Sequence, residues 1–140
     1  MKNFLGATFL LLILFSCNRH EKIYDEVMEI HDEAMAKMDR IMVLKSKLND
    51  HIKMMAEDTL SNHTSELNQL NTLVQNLEEA DEGMMNWMRE FHNDYENVAK
   101  SEIMKYLRKQ KEKITLVGQK MNEAIADAEK YLEASVWYRK

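Results

Sequence analysis

Apolar residues recur along most of this chain at steps of three and four, the spacing of one face of a helix. From Ile23 to about Met55 the stripe runs Tyr24, Val27, Met28, His31, Ala34, Met35, Met38, Ile41, Met42, Leu48, Ile52 and Met55, with Lys45 interrupting it. The periodicity stops between Ala56 and Asn62, where Asp58, Thr59, Ser61 and Asn62 are residue types that end one helix and cap the next. A second stripe follows as Leu67, Leu70, Val74, Leu77, Met84, Met88, Phe91, Tyr95 and Val98, with Asp81 at one seam position. Polarity rises again over Asn93 to Asn97, and Ser101 is the expected cap of a third helix. Its stripe is Ile103, Leu107, Gln110, Ile114, Val117, Met121, Ala124, Ala128 and Tyr131. Three segments of about 35 residues, roughly 50 Å each at 1.5 Å per residue, with short connections predict an all-α fold. The expected architecture is an antiparallel up-down-up three-helix bundle with long helices, and a dimerising two-helix hairpin is the alternative.

Composition narrows this picture. The chain has 140 residues, 45% apolar and 31% charged, which suits one helical domain with its own core. It contains no proline, and only Gly83 and Gly118 lie where a glycine could interrupt a helix. A net charge of -5 argues against a nucleic-acid partner, because such proteins neutralise phosphates with excess Lys and Arg.

The first residues, MKNFLGATFLLLILFSC, have one early lysine, an apolar run from Phe4 to Phe15 and a small residue before the single cysteine. They predict an export signal over residues 1–16; the run falls short of the about 20 apolar residues of a permanent transmembrane helix. Leu14, Ser16 and Cys17 resemble the lipobox of bacterial lipoproteins, in which the cysteine after the cut is lipidated. Phe15 departs from that pattern. A lone cysteine has no disulfide partner, and lipidation at Cys17 accounts for it. An ordinary secretory signal is the plainer alternative. Removing residues 1–16 takes away Lys2 and no acid, so the remainder is one unit more negative. Residues 17–22 are then expected to form a lipidated tether, 23–135 the bundle and 136–140 a C-terminal tail. Cys17 would hold the protein to a membrane of the bacterial envelope. The residues after it, Asn-Arg-His-Glu-Lys, are not an acidic surface-export run, so a periplasm-facing placement is expected.

Antiparallel packing about a turn near residue 59 or 60 sets residues whose numbers sum to about 119 at one height. His31 then lies near Met88, Met35 near Met84 and Met28 near Phe91, while a second turn near residue 99 brings Gln110 to the height of Met88. Two readings of this cluster stand side by side. In the first, the methionines fill core gaps, Trp87 and Phe91 are packing anchors, and buried His31 is satisfied by a polar neighbour such as Gln110. In the second, His31, Met28, Met35, Met84 and Met88 form a soft-metal site, since thioether sulfur and imidazole suit Cu(I). Asp81, expected opposite Met38 and Val117, has Lys37 or Lys113 as its expected partner.

The other histidines, His20, His51, His63 and His92, read as solvated. Lys105, Arg108, Lys109, Lys111 and Lys113 make the start of the third helix basic. This is ordinarily a solvated face, although the topology returns it toward the anchored membrane, where cations meet anionic head groups. Val136, Trp137 and Tyr138 cap the far tip or present an aromatic patch to a partner.

The lipobox together with HDEAMAKM (His31 to Met38) and MMNWMREF (Met84 to Phe91) resembles a group of small uncharacterised lipoproteins of Bacteroidota. Some carry the label "viral A-type inclusion protein", which reflects coiled-coil similarity and implies no viral role. The resemblance implies that the His31 and Trp87 motifs belong together, and it brings no established activity. In that group a proline often stands where this chain has Ala36, so the kink it would give is not expected here. No Ser/His/Asp, paired-carboxylate or HExxH arrangement can be read, so the expectation is a non-enzymatic structural or protein-interaction module. Its partners are the membrane through Cys17 and an unidentified envelope protein, with a homodimer also open. A Cu(I)-binding or chaperone-like role is the second class.

Overall fold

The computed structural model describes residues 19–57 and 63–137, with side chains through Ser135. All of its regular structure is helical: α1 (Arg19–Met35), α2 (Met38–Glu57), α3 (Thr64–Glu90) and α4 (Lys100–Trp137). Among the described residues there is no strand. The helices pack together, α4 against α1, α2 and α3, and α2 against α3.

The first two helices act as one broken rod. Val27, Ala34, Ile41, Leu44 and Leu48 form a single buried stripe across both, at the steps of seven, three and four that keep residues on one helix face. The break at Ala36 and Lys37 corrects the expectation of an unkinked segment. The Lys37 amide bonds the Ala34 carbonyl three residues back, at 3.0 Å, which tightens one turn with no proline present. The α2 register then resumes, with the Ile41 amide bonding Lys37 at 3.1 Å. Helix α1 already begins at Arg19, so the stretch expected as a tether is helical from that residue onward.

The core continues through Leu70, Leu73, Leu77, Ala80, Met84 and Trp87 of α3 and Ile114, Met121, Ala124 and Ala128 of α4. Burying a side chain such as Leu70 or Leu77 in full contributes about 1.5–3 kcal/mol relative to exposure. Lys45, which interrupts the sequence stripe, is accommodated because its ammonium reaches Glu78 of α3 at 3.5 Å.

The helices are less equal than their stripes suggest. Helix α3 has 27 residues and α4 has 38. Tyr95 and Val98, placed in the second stripe, lie in the loop after α3, because the helix ends at Glu90. There the Asp94 carboxylate accepts from the Glu96 amide at 3.2 Å, a local bond that competes with helix continuation. Asn97 completes the turn in the left-handed region, with φ 63°, which asparagine tolerates better than most residues. Ser101 sits inside the first turn of α4 and is not its cap; the Ala99 carbonyl accepts the amides of Glu102 and Ile103. The N-cap of α3 is His63, one residue beyond the stretch expected to end one helix and cap the next.

Candidate functional site

The His31 and Trp87 segments meet. The His31 ring lies 5.6 Å from the Trp87 ring, centroid to centroid, and Trp87 stacks on Phe91 at 4.7 Å with 22° between planes. Phe91 in turn contacts Tyr24 and Tyr106, each at 6.2 Å, and Tyr106 contacts His92 at 4.4 Å and Tyr95 at 6.2 Å. Trp87 is buried and Phe91 half-buried against the core, so both act as packing anchors. Off-parallel and tilted ring pairs of this kind add to what burial alone supplies.

The tyrosines were not singled out as site residues, although Tyr24 stands seven residues before His31 on the same helical stripe. They also fasten the loop after α3. The His92 amide donates to the Tyr106 hydroxyl oxygen at 2.9 Å, and the Tyr95 hydroxyl donates to the His92 carbonyl at 3.2 Å. Burial, with the neighbouring Tyr106 and Tyr24 adding to it, pushes the Tyr95 phenol up to about 12. His92 is exposed, as expected, and its ring also joins this cluster.

His31 is half-buried, and its partner is not Gln110. Its Nδ1 lies 2.8 Å from an Asp32 carboxylate oxygen, while the Gln110 carbonyl oxygen is buried with no hydrogen-bond partner among the described residues. The Trp87 indole N–H is likewise buried and unpartnered among them. Asp32 is adjacent in sequence and can turn toward the ring at the surface; Gln110 points into the core of α4.

The methionines divide. Met84 is fully buried and Met88 is partly buried against the core, Met28 is half-buried, and Met35 is 36% exposed. The period of the Met28–Met35–Met42 row is correct, but the core stripe is Val27–Ala34–Ile41, one residue and so about 100° away around the helix. The reading of all these methionines as core therefore fails for Met35 and for Met42, which is 65% exposed.

The basic start of α4 is partly paired. Lys111 donates to Glu26 at 2.8 Å and Lys113 to Glu90 at 2.9 Å, and these hydrogen bonds hold both carboxyls below the usual carboxylate range. Asp81, half-buried, forms no ion pair among the described residues, Lys113 being taken by Glu90. Lys105, Arg108 and Lys109 are exposed.

At the other end an open groove of about 1010 Å³ is lined by His51, Met55, Glu66, Thr72 and Tyr131, among others. The Tyr131 hydroxyl donates to Glu66 at 2.9 Å, and the His51 ring meets Tyr131 edge-on. No sequence stripe marked this groove, since its polar lining comes from the flanks of three helices.

Among the described residues no group of three or more His, Cys, Asp or Glu side chains gathers; the further donors on the His31 face are thioethers. No helix among them is long and apolar enough to cross a membrane. Cys17 and the side chains of Val136, Trp137 and Tyr138 lie outside the described residues. Comparison with protein families, with curated proteins and with solved structures yields no match.

Proposed function

We propose that this chain is a lipid-anchored, periplasm-facing module of the bacterial envelope, non-enzymatic, that serves structure or protein interaction. Its helices form an up-down-up antiparallel bundle, with α1 and α2 as the first rod. The order of cross-helix partners supports that course. As the first rod advances through Tyr24, His31 and Lys45, the α3 partners run backwards as Phe91, Trp87 and Glu78. Between α3 and α4, Glu66 pairs with Tyr131 and Glu90 with Lys113, again in opposite senses. Glu26 with Lys111 and Arg40 with Glu129 advance together.

The observation that carries the interaction reading is the set of large apolar side chains left exposed close together along the first rod, at Met35, Met42 and Val43. Apolar side chains grouped on a surface are what a docking face offers. With α1 starting two residues after Cys17, a lipid there would hold the bundle directly against the bilayer. The test has two readouts. In cells fed a radiolabelled fatty acid, the wild type carries label and sediments with membranes, whereas Cys17→Ser is unlabelled and released; label retained in the mutant contradicts the anchor. A photocrosslinking residue at Met42 gives a discrete adduct, at twice the chain mass if the partner is a second copy. The same residue at exposed Glu123 of α4 gives none, and equal patterns at the two positions contradict the docking face.

A further inference from the structure

We propose that His31 Nε2, the thioethers of Met28 and Met35 on the same side of α1, and the Trp87 ring across from them form a binding site for Cu(I). This inference rests on the local geometry of α1 and α3 and is independent of the lipid anchor.

The imidazole is oriented for ligation. With Nδ1 2.8 Å from the Asp32 carboxylate, which can only accept, the N–H on Nδ1 donates to it, and in the neutral ring the lone pair is then on Nε2. A carboxylate behind the imidazole is the arrangement that fixes the tautomer and direction of metal-binding histidines. The His31 side chain is 17% exposed, held by its surroundings yet open to a small ion.

The thioethers stand where that nitrogen needs company. Met28 precedes His31 by three residues and Met35 follows by four, the two spacings that bring side chains together on a helix. A packing role does not explain them: Met84 and Met121 are fully buried in the core and Met38, Met55 and Met88 pack partly buried against it, whereas Met28 and Met35 belong to neither set. Met28 is only half-buried and Met35 over a third exposed. Met35 is also the last residue of α1, directly before the tightened turn. Across the interface, stacking on Phe91 holds the Trp87 ring beside His31, so a cation seated there meets an aromatic face.

Two thioethers and one imidazole form a soft donor set, which selects Cu(I) over zinc, calcium or magnesium. Thioethers carry no proton to displace, so only the imidazole makes binding depend on acid. Met88, one residue after Trp87, packs partly buried against the core and is not part of this donor set.

The test uses the full chain in detergent with Cys17→Ser, which removes the only thiol, a strong Cu(I) ligand in its own right. Trp137→Phe leaves Trp87 as the only indole. Cu(I) is titrated anaerobically against a chromogenic Cu(I) chelator, with tryptophan emission followed in parallel. The expected result is one tightly held equivalent with quenching of Trp87. Affinity should fall by about tenfold or more in Met28→Leu/Met35→Leu and in His31→Ala, and by about tenfold in Asp32→Asn, the usual range for removing an outer-shell partner. Met42→Leu should be unchanged. Leucine conserves volume at these partly exposed positions, and helical circular dichroism with the metal-free thermal midpoint verifies the fold of each variant. Wild-type binding no tighter than the double methionine variant, or binding that leaves Trp87 emission untouched, overturns the site.

Discussion

Gln110 sits on the buried face of α4 at 4% exposure, and its carbonyl oxygen has no hydrogen-bond partner among the described residues. An unpaired buried acceptor costs about 1–3 kcal/mol of desolvation. Gln110→Leu, which keeps a similar volume and removes the polar atom, is therefore expected to stabilise the protein by about 1–3 kcal/mol, read from the urea midpoint at constant m. A loss of stability would mean that the amide is bonded in the native state. At this scale the sequence was partly legible. It marked Gln110 as a core position and joined the His31 and Trp87 segments, but it assigned His31 the wrong partner. A stripe identifies which face a side chain leaves from and not which neighbour its polar atoms reach, and Asp32, one residue away, was nearer than anything across the core. The Met28–Met35–Met42 row shows the same limit in phase. Two adjacent stripes with one period run along α1 and α2, and only packing against α3 and α4 selects Val27–Ala34–Ile41 as the buried one.

At the level of the elements, Gly83 and Gly118 lie inside uninterrupted helices, although they were the residues expected to permit a break. A Cβ at either position meets nothing within 4 Å beyond its own helical neighbourhood, so neither glycine serves a close approach. Replacing each by alanine should stabilise the protein by about 0.4–1 kcal/mol, through helix propensity and a less flexible unfolded chain. Chemical denaturation of Gly83→Ala, Gly118→Ala and the double variant measures this, with near-additive gains expected. Destabilisation at either site would show helices closer there than the structure has them. Among the described residues the rod is interrupted at Ala36 and Lys37, residues with no helix-breaking character, through a single bond from Lys37 to Ala34. Such a break leaves no local signature, since it depends on which carbonyl one amide selects. Helix existence was legible from the period. Ends were not, because Ala99 and His63 precede α4 and α3 where Ser101 and the residues before His63 had the better capping chemistry.

For the molecule as a whole, the proposed account depends on the first rod and α3 running in opposite directions within one chain, since that order joins the His31 and Trp87 motifs. The periodic stripes suggested it from length and spacing alone, but the same stripes serve a hairpin that dimerises, and no feature of the sequence separates the two. The Lys45–Glu78 contact, at 3.5 Å, is the pairing that the single-chain order calls for. Lys45→Cys/Glu78→Cys in a Cys17→Ser chain, treated with a short bismaleimide at low protein concentration, should close a link within a single chain. Lys45→Cys/Glu66→Cys is the control, twelve residues further along α3 and so about 18 Å away at 1.5 Å per residue. The account predicts rapid monomeric crosslinking of the first pair and little of the second. Equal yields from both pairs, or a product at twice the chain mass, would contradict it.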